Sequence, residues 1–176
     1  MYVLKDLTRE QLDQLRADAV DTRNALELKG WVTGDMILLW PEGDDWKTGA
    51  MCMTGAAAYA SEGQKFVDWV IQTGETTTPG SYKFEDKSKL LLRLLAEVGN
   101  ALYCDDDDED YNPKKAGPRK AVDRIIGIND GQLRNVHRAL AWVDAAIREI
   151  DQAIAMTPEP AKATDSAEEI IDRLLG

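Results

Sequence analysis

The chain has one histidine, two phenylalanines and two cysteines among 176 residues. Two cysteines, Cys52 and Cys104, make no disulfide framework, so the small disulfide-stapled class is excluded. With the lone His137 they also lack any short-range spacing of a zinc site. No apolar run approaches a membrane span, and the opening Met1-Tyr2-Val3-Leu4-Lys5-Asp6 has no apolar core of a secretory signal. The lysine of a phosphate-cradling loop is missing after Gly127-Ile128-Asn129-Asp130-Gly131. Positive charge is scarce as well. Lys plus Arg is 21 against 32 Asp plus Glu, for a net charge of −11. Such a surface repels nucleic-acid phosphates and anionic lipids, and no basic stripe with interleaved aromatics offsets it. The reading that remains is an acidic, soluble, cytoplasmic protein without nucleic-acid or membrane partners. It is long enough to fold on its own core without a metal or cofactor.

What is present is mostly helical. Thr8-Arg9-Glu10-Gln11 fits a capping box, and Leu12, Leu15, Ala19, Thr22 and Leu26 then keep a helical period up to Gly30. The spacing predicts a helix over 9–29, closed by Gly30 at positive φ. From about 31 to 53 the chain changes character. Trp31, Val32, Ile37, Leu38, Leu39 and Trp40, a turn at 41–45, and Met51-Cys52-Met53 read as an antiparallel β-ribbon. Thr54 precedes a short helix of small residues, Gly55 to Ala60. Residues 61–87 give weak signals, with Phe66, Val67, Trp69, Val70 and Ile71 partly buried and a loop from Thr76 to Ser81. A core helix runs from Asp86 to about Cys104.

The acidic run Asp105-Asp106-Asp107-Asp108-Glu109-Asp110 reads as part of an exposed loop over 104–117 that includes Tyr111. Pro118 opens a helix through Ile126 that Gly127 to Gly131 interrupts, with Asn129 or Asp130 capping the next helix. Leu133, Val136, Leu140, Val143, Ile147, Ile150 and Ile154 form a regular seam, which packs on the other helices or on a second copy in a homodimer. After a linker from Met156, Ser166-Ala167-Glu168-Glu169 caps a short amphipathic helix carrying Ile170, Ile171, Leu174 and Leu175. The expected fold is mainly α (α+β): a helical bundle with a small antiparallel β-hairpin between the first and second helices. One globular domain spans 1–155, and 156–176 is linker plus C-terminal helix.

Three short motifs stand in series: Gly30-Trp31 at a helix end, Cys52-Met53-Thr54-Gly55-Ala56 opening a helix, and Asn129-Asp130 ahead of the final helix. In order and spacing over about residues 10–150 they resemble an uncharacterised family, a domain of unknown function, of small actinobacterial and actinophage proteins. The resemblance implies phage or prophage provenance, a bacterial host cytoplasm and a fold, but no activity.

The chemical candidates are few. Cys52 precedes a helix N-terminus, where the dipole lowers a thiol pKa, and with His137 and Asp130 it would form a cysteine-dependent hydrolase or transferase. The alternative is a small buried core residue. Asp105, Asp106, Asp107 and Asp108 suit a hard cation, but the run fails as a calcium loop, with Asp110 in the place of its glycine and Ala116 in the place of its last glutamate. Generic acidity also suits a DNA mimic. Among the tryptophans, Trp31 and Trp40 read as ribbon packed on helices, while Trp46, beside Asp44, Asp45 and Lys47, reads as exposed. The leading expectation is a non-enzymatic protein-binding accessory protein. Its surface would comprise Trp40, Trp46, the acidic residues Asp105 to Asp108, and the tail residues Ile170, Ile171, Leu174 and Leu175.

Overall fold

A computed structural model describes residues 1–77, 82–104 and 111–158. The expected tail helix with Ile170, Ile171, Leu174 and Leu175 and the run Asp105 to Asp108 lie outside the described residues, as do residues 78–81 of the expected loop from Thr76 to Ser81. Among the described residues, six helices and one two-stranded antiparallel hairpin make a mainly α fold, with the hairpin between the first two helices.

Helix α1 spans Arg9–Lys29. Its capping box is complete: Gln11 N–H donates to the Thr8 hydroxyl oxygen, and Thr8 N–H donates to Gln11 Oε1. Gly30 ends it at φ 91°, a conformation that disfavours any side chain. The hairpin comes next as β1 (Ile37–Glu42) and β2 (Asp45–Met51). Pro41 and Glu42 belong to the strand, so the turn is tighter than the sequence suggests. Helix α2 (Met53–Glu62) starts two residues earlier than the expected Gly55, with Cys52 rather than Thr54 as its N-cap.

Helix α3 (Gln64–Thr73) fills the stretch with weak signals. Phe66, Val67 and Val70 are buried on one face, and Phe66 and Trp69 group with Tyr82 and Phe84 at ring separations of 4.8–6.3 Å. Helix α4 (Asp86–Tyr103) is the central helix, as expected. Tyr111 and Ala116 beyond it are buried rather than part of an exposed loop. The Arg124 guanidinium sits 5.7 Å from the Tyr111 ring centre, a contact that favours holding the ring in place.

Helix α5 (Pro118–Gly131) runs straight through Gly127 and Asn129, and the expected interruption does not occur. Helix α6 (Val136–Met156) is capped by Asn135, whose side chain accepts from Arg138 N–H at 3.1 Å. Asn129 and Asp130 are therefore not its cap. The α6 seam packs within the chain, mainly on α1. The buried face is broader than the seam and centres on Trp142, which lies outside the heptad pattern. Pairs Arg16–Asp151 at 2.6 Å and Arg23–Asp144 at 2.8 Å set α1 and α6 antiparallel. Trp142 Nε1 donates to the Leu95 carbonyl at 2.9 Å, and its ring lies against Gly99 of α4.

Candidate functional site

The ribbon is buried at its base and exposed at its tip. Ile37 and Met51 are in the core, whereas residues from Trp40 to Lys47 are exposed. The register pairs Trp40 with Lys47 and Pro41 with Trp46. Directly paired residues share a face and neighbours along a strand alternate, so the two indoles lie on opposite faces of the tip. Both are nearly half exposed, Trp40 at 45% and Trp46 at 47%, with Leu38 at 39% beside Trp40. Trp40 is thus not part of the core, contrary to the packed-ribbon reading. Its ring lies over Gly49, where a Cβ would come within 2.9 Å of Cη2, so the indole is laid against the ribbon rather than waving free. Trp31 is the one ribbon tryptophan that turns inward.

The three motif segments converge behind this ribbon. Asn129 is fully buried, and its side-chain oxygen accepts from Trp31 Nε1 at 2.8 Å and from Met53 N–H at 3.2 Å. Its amide nitrogen donates to the Val32 carbonyl at 3.2 Å and to Asp130 Oδ1 at 2.9 Å. Asp130 Oδ1 accepts in turn from Gly34 N–H at 3.2 Å. All four hydrogen-bonding positions of the amide are filled, two by accepting and two by donating. The Gly-Trp, Cys-x-x-Gly-Ala and Asn-Asp segments are therefore one structural knot that fixes the base of the ribbon.

That geometry decides the role of Cys52. Its Sγ accepts from Gly55 N–H at 3.4 Å, and the side chain is sealed in the core. Burial pushes the thiol up to about 11, outweighing the hydrogen bonds from Gly55 and Thr54 that favour the thiolate. A helix N-terminus weighed without this desolvation gives the opposite sign. His137 is exposed in the first turn of α6, and Asp130 is committed to the knot. The cysteine-dependent reading thereby loses its activated nucleophile. No group of three or more His, Cys, Asp or Glu side chains suited to a metal converges among the described residues. No described helix is long and apolar enough to cross a membrane.

Two carboxylates that the sequence does not single out are buried. Glu62 has a side chain closed off from solvent and accepts from Ser88 Oγ at 2.6 Å, Glu85 N–H at 2.9 Å and the Tyr82 hydroxyl. Three donors on a carboxylate make a satisfied anchor for the start of α4. Asp18 is different. It is 5% exposed, and while Oδ1 accepts from Gln14 Nε2 at 2.9 Å, its Oδ2 is buried with no hydrogen-bond partner. Desolvation raises its carboxyl above the ordinary value, against the pull of Gln14 and Lys87. The native state therefore holds this proton more tightly than the unfolded chain. The charged carboxylate costs stability at neutral pH, and the cost declines as pH falls below the folded pKa and is gone below the lower, unfolded one. Asp18→Asn is expected to stabilise the protein by about 1 kcal/mol at about pH 7, with the gain shrinking toward about pH 4. Urea unfolding of both proteins at the two pH values measures this.

Comparison with protein-family models, with curated proteins and with solved structures found no match to this chain.

Proposed function

We propose that this chain is a non-enzymatic accessory protein that binds another protein, of phage or host origin, through the tip of its β-ribbon. The observation that carries the reading is the pair of indoles displayed on opposite faces of a ribbon whose base is locked by the Asn129 knot. Tryptophan is enriched among residues that dominate binding energy, and a rigid support lowers the ordering cost of docking. Two faces call for a partner that receives the tip in a cleft and contacts both sides. Around the indoles, Glu42, Asp44, Asp45 and Lys47 supply a charged rim. That rim favours specificity and orientation more than affinity.

Affinity capture from an actinobacterial lysate, with and without phage infection, tests this. The wild-type chain is expected to retain a specific protein that Trp40→Ala with Trp46→Ala does not. Each single change is expected to weaken binding by about 2 kcal/mol, roughly thirtyfold in Kd. Because both indoles sit at the ribbon tip, outside the core, and are nearly half exposed, the variants are expected to unfold within about 1 kcal/mol of wild type. Undiminished capture by the double variant would remove the ribbon from the binding surface.

A further inference from the structure

Asp18, which carries the orphan oxygen, lines a cleft of its own. Gln11, Gln14, Leu15 and Asp18 fall three, four and seven residues apart, on one face of α1. Across from them stand Asp86, Lys87 and Leu90 of the first turns of α4. Between the two helices is an open cleft of about 220 Å³. Leu15 and Leu90 give it apolar walls, extended by the aliphatic parts of Gln11, Gln14 and Lys87. Asp18 is the buried acid in the lining, with one oxygen held by Gln14 and the other unfilled. The exposed Asp86 stands at the other side, its Oδ1 accepting from Lys89 at 2.8 Å.

A buried acceptor left unpaired costs stability unless something fills it. Nothing in α1 requires an acid here, since its neighbours on the stripe are Leu15, Ala19 and Thr22. The cleft offers the buried charge of Asp18, the exposed charge of Asp86 already paired with Lys89, and apolar walls. A hydrated metal ion would find two carboxylates on opposite sides of the cleft, one of them, Asp86, already held by Lys89, and too few converging oxygens for a hard cation. A neutral apolar molecule would leave Asp18 unpaired. The ion that satisfies both parts has an ammonium head and an aliphatic stem.

We infer that the α1–α4 cleft is a binding site for a primary alkylammonium group, with Asp18 as its counter-ion and Leu15 and Leu90 flanking the stem. Two sources share that chemistry, a free small amine and the lysine side chain of a bound protein. The nearby Lys87 is an internal competitor. Its side chain is 43% exposed, its Nζ lies 4.0 Å from Glu85, and it makes no hydrogen bond to the orphan oxygen.

The test is an amide-resolved NMR titration of the full chain with n-butylammonium chloride, and with 1-butanol as a neutral match of the same stem. Saturable shifts are expected at Gln14, Leu15, Asp18, Lys87 and Leu90, with a Kd on the order of millimolar. Butanol is expected to bind about tenfold more weakly, and Asp18→Asn to lose the ammonium preference. The wild-type comparison of the two probes stands by itself, whatever Asp18→Asn does to folding. N-acetyl-lysine methylamide distinguishes the sources. Binding at least as tight as butylammonium assigns the site to a protein lysine, and failure to bind assigns it to a free amine. Equal binding of butanol and butylammonium would make the cleft merely apolar and overturn the inference. So would an absence of saturable shifts, which leaves the cleft to water. Binding seen only with Lys87→Ala would show that Lys87 itself fills the wild-type site, and would overturn it too.

Discussion

Gly55→Ala is expected to destabilise the protein by at least about 3 kcal/mol, the upper part of the range for overpacking a closed core. For a chain of this length that lowers Tm by roughly 10 °C. Gly55 sits in the first turn of α2, directly against the backbone of Met36. A methyl group there would overlap the Met36 carbonyl oxygen and come within 2.6 Å of its carbon and 3.2 Å of its Cα. The obstacle is backbone, and it cannot swing aside like a side chain. The same carbonyl accepts from Cys52 N–H at 3.0 Å, so relief by moving Met36 would break the contact that seats the start of α2. Met36, Ile37 and Met53 are all fully buried, which leaves no slack behind the clash. Thermal unfolding of the purified variant checks the magnitude. A loss under about 1 kcal/mol would mean that α2 and the Met36 backbone slide apart readily.

The Cys-x-x-Gly-Ala step illustrates how far local reading reaches. Its glycine is visible in the sequence as a small residue at a helix start, but the reason for it lies in Met36, in a different element. Signals that act within a few residues are legible. The Thr8 and Gln11 capping box and Gly30 mark both ends of α1. The apolar run of β1 and the turn after it mark the hairpin, whereas β2 is mostly polar, and Cys52 and Met53 of the expected second run fall at the start of α2. Helix α3 is hard to see, although Gly63 and Gly74, at φ 58° and 69°, bracket its ten residues. Phe66, Val67 and Val70 carry its helical period, but a run this short competes weakly with loop composition on its flanks.

Polar roles set by distant partners are the part that local patterns misstate. Cys52 has a helix N-terminus in front of it in the sequence and a closed core around it in the fold, and desolvation outweighs the dipole. Asp18 does leave a trace, since it falls between Leu15, Ala19 and Thr22 on the apolar stripe of α1. An acid on that stripe is a conflict between local chemistry and burial, and such conflicts concentrate at functional positions. The exposed tip of the ribbon depends on register. Only the pairing of Trp40 with Lys47 and Pro41 with Trp46 shows that the indoles face opposite ways.

Asn129→Ala is expected to cost about 3 to 5 kcal/mol, because it strips partners from several buried groups at once. Asn-Asp ahead of a helix suggests, from sequence, a cap that serves donors nearby. Here the partners of Asn129 lie far away: Trp31, Val32 and Met53 are 98, 97 and 76 residues distant. Removal of the amide leaves Trp31 Nε1, Met53 N–H and the Val32 carbonyl without it, and frees Asp130 from its neighbour. The loss should be felt first at the ribbon base, where Val32 N–H donates to the Met51 carbonyl and Met51 N–H donates to the Gly30 carbonyl. Hydrogen exchange at those two amides is therefore expected to accelerate more than exchange in the α1–α6 interface. Asn129→Asp separates the parts of the knot. It keeps an acceptor for Trp31 and Met53 but removes the donors to Val32 and Asp130 and sets two carboxylates side by side. Its defect is expected to ease on acidification, as one carboxyl takes a proton and can donate again. Equal exchange rates at Val32 and Met51 in wild type and Asn129→Ala would show that the ribbon is held by its own strands. The rigid display of Trp40 and Trp46 would then need another cause.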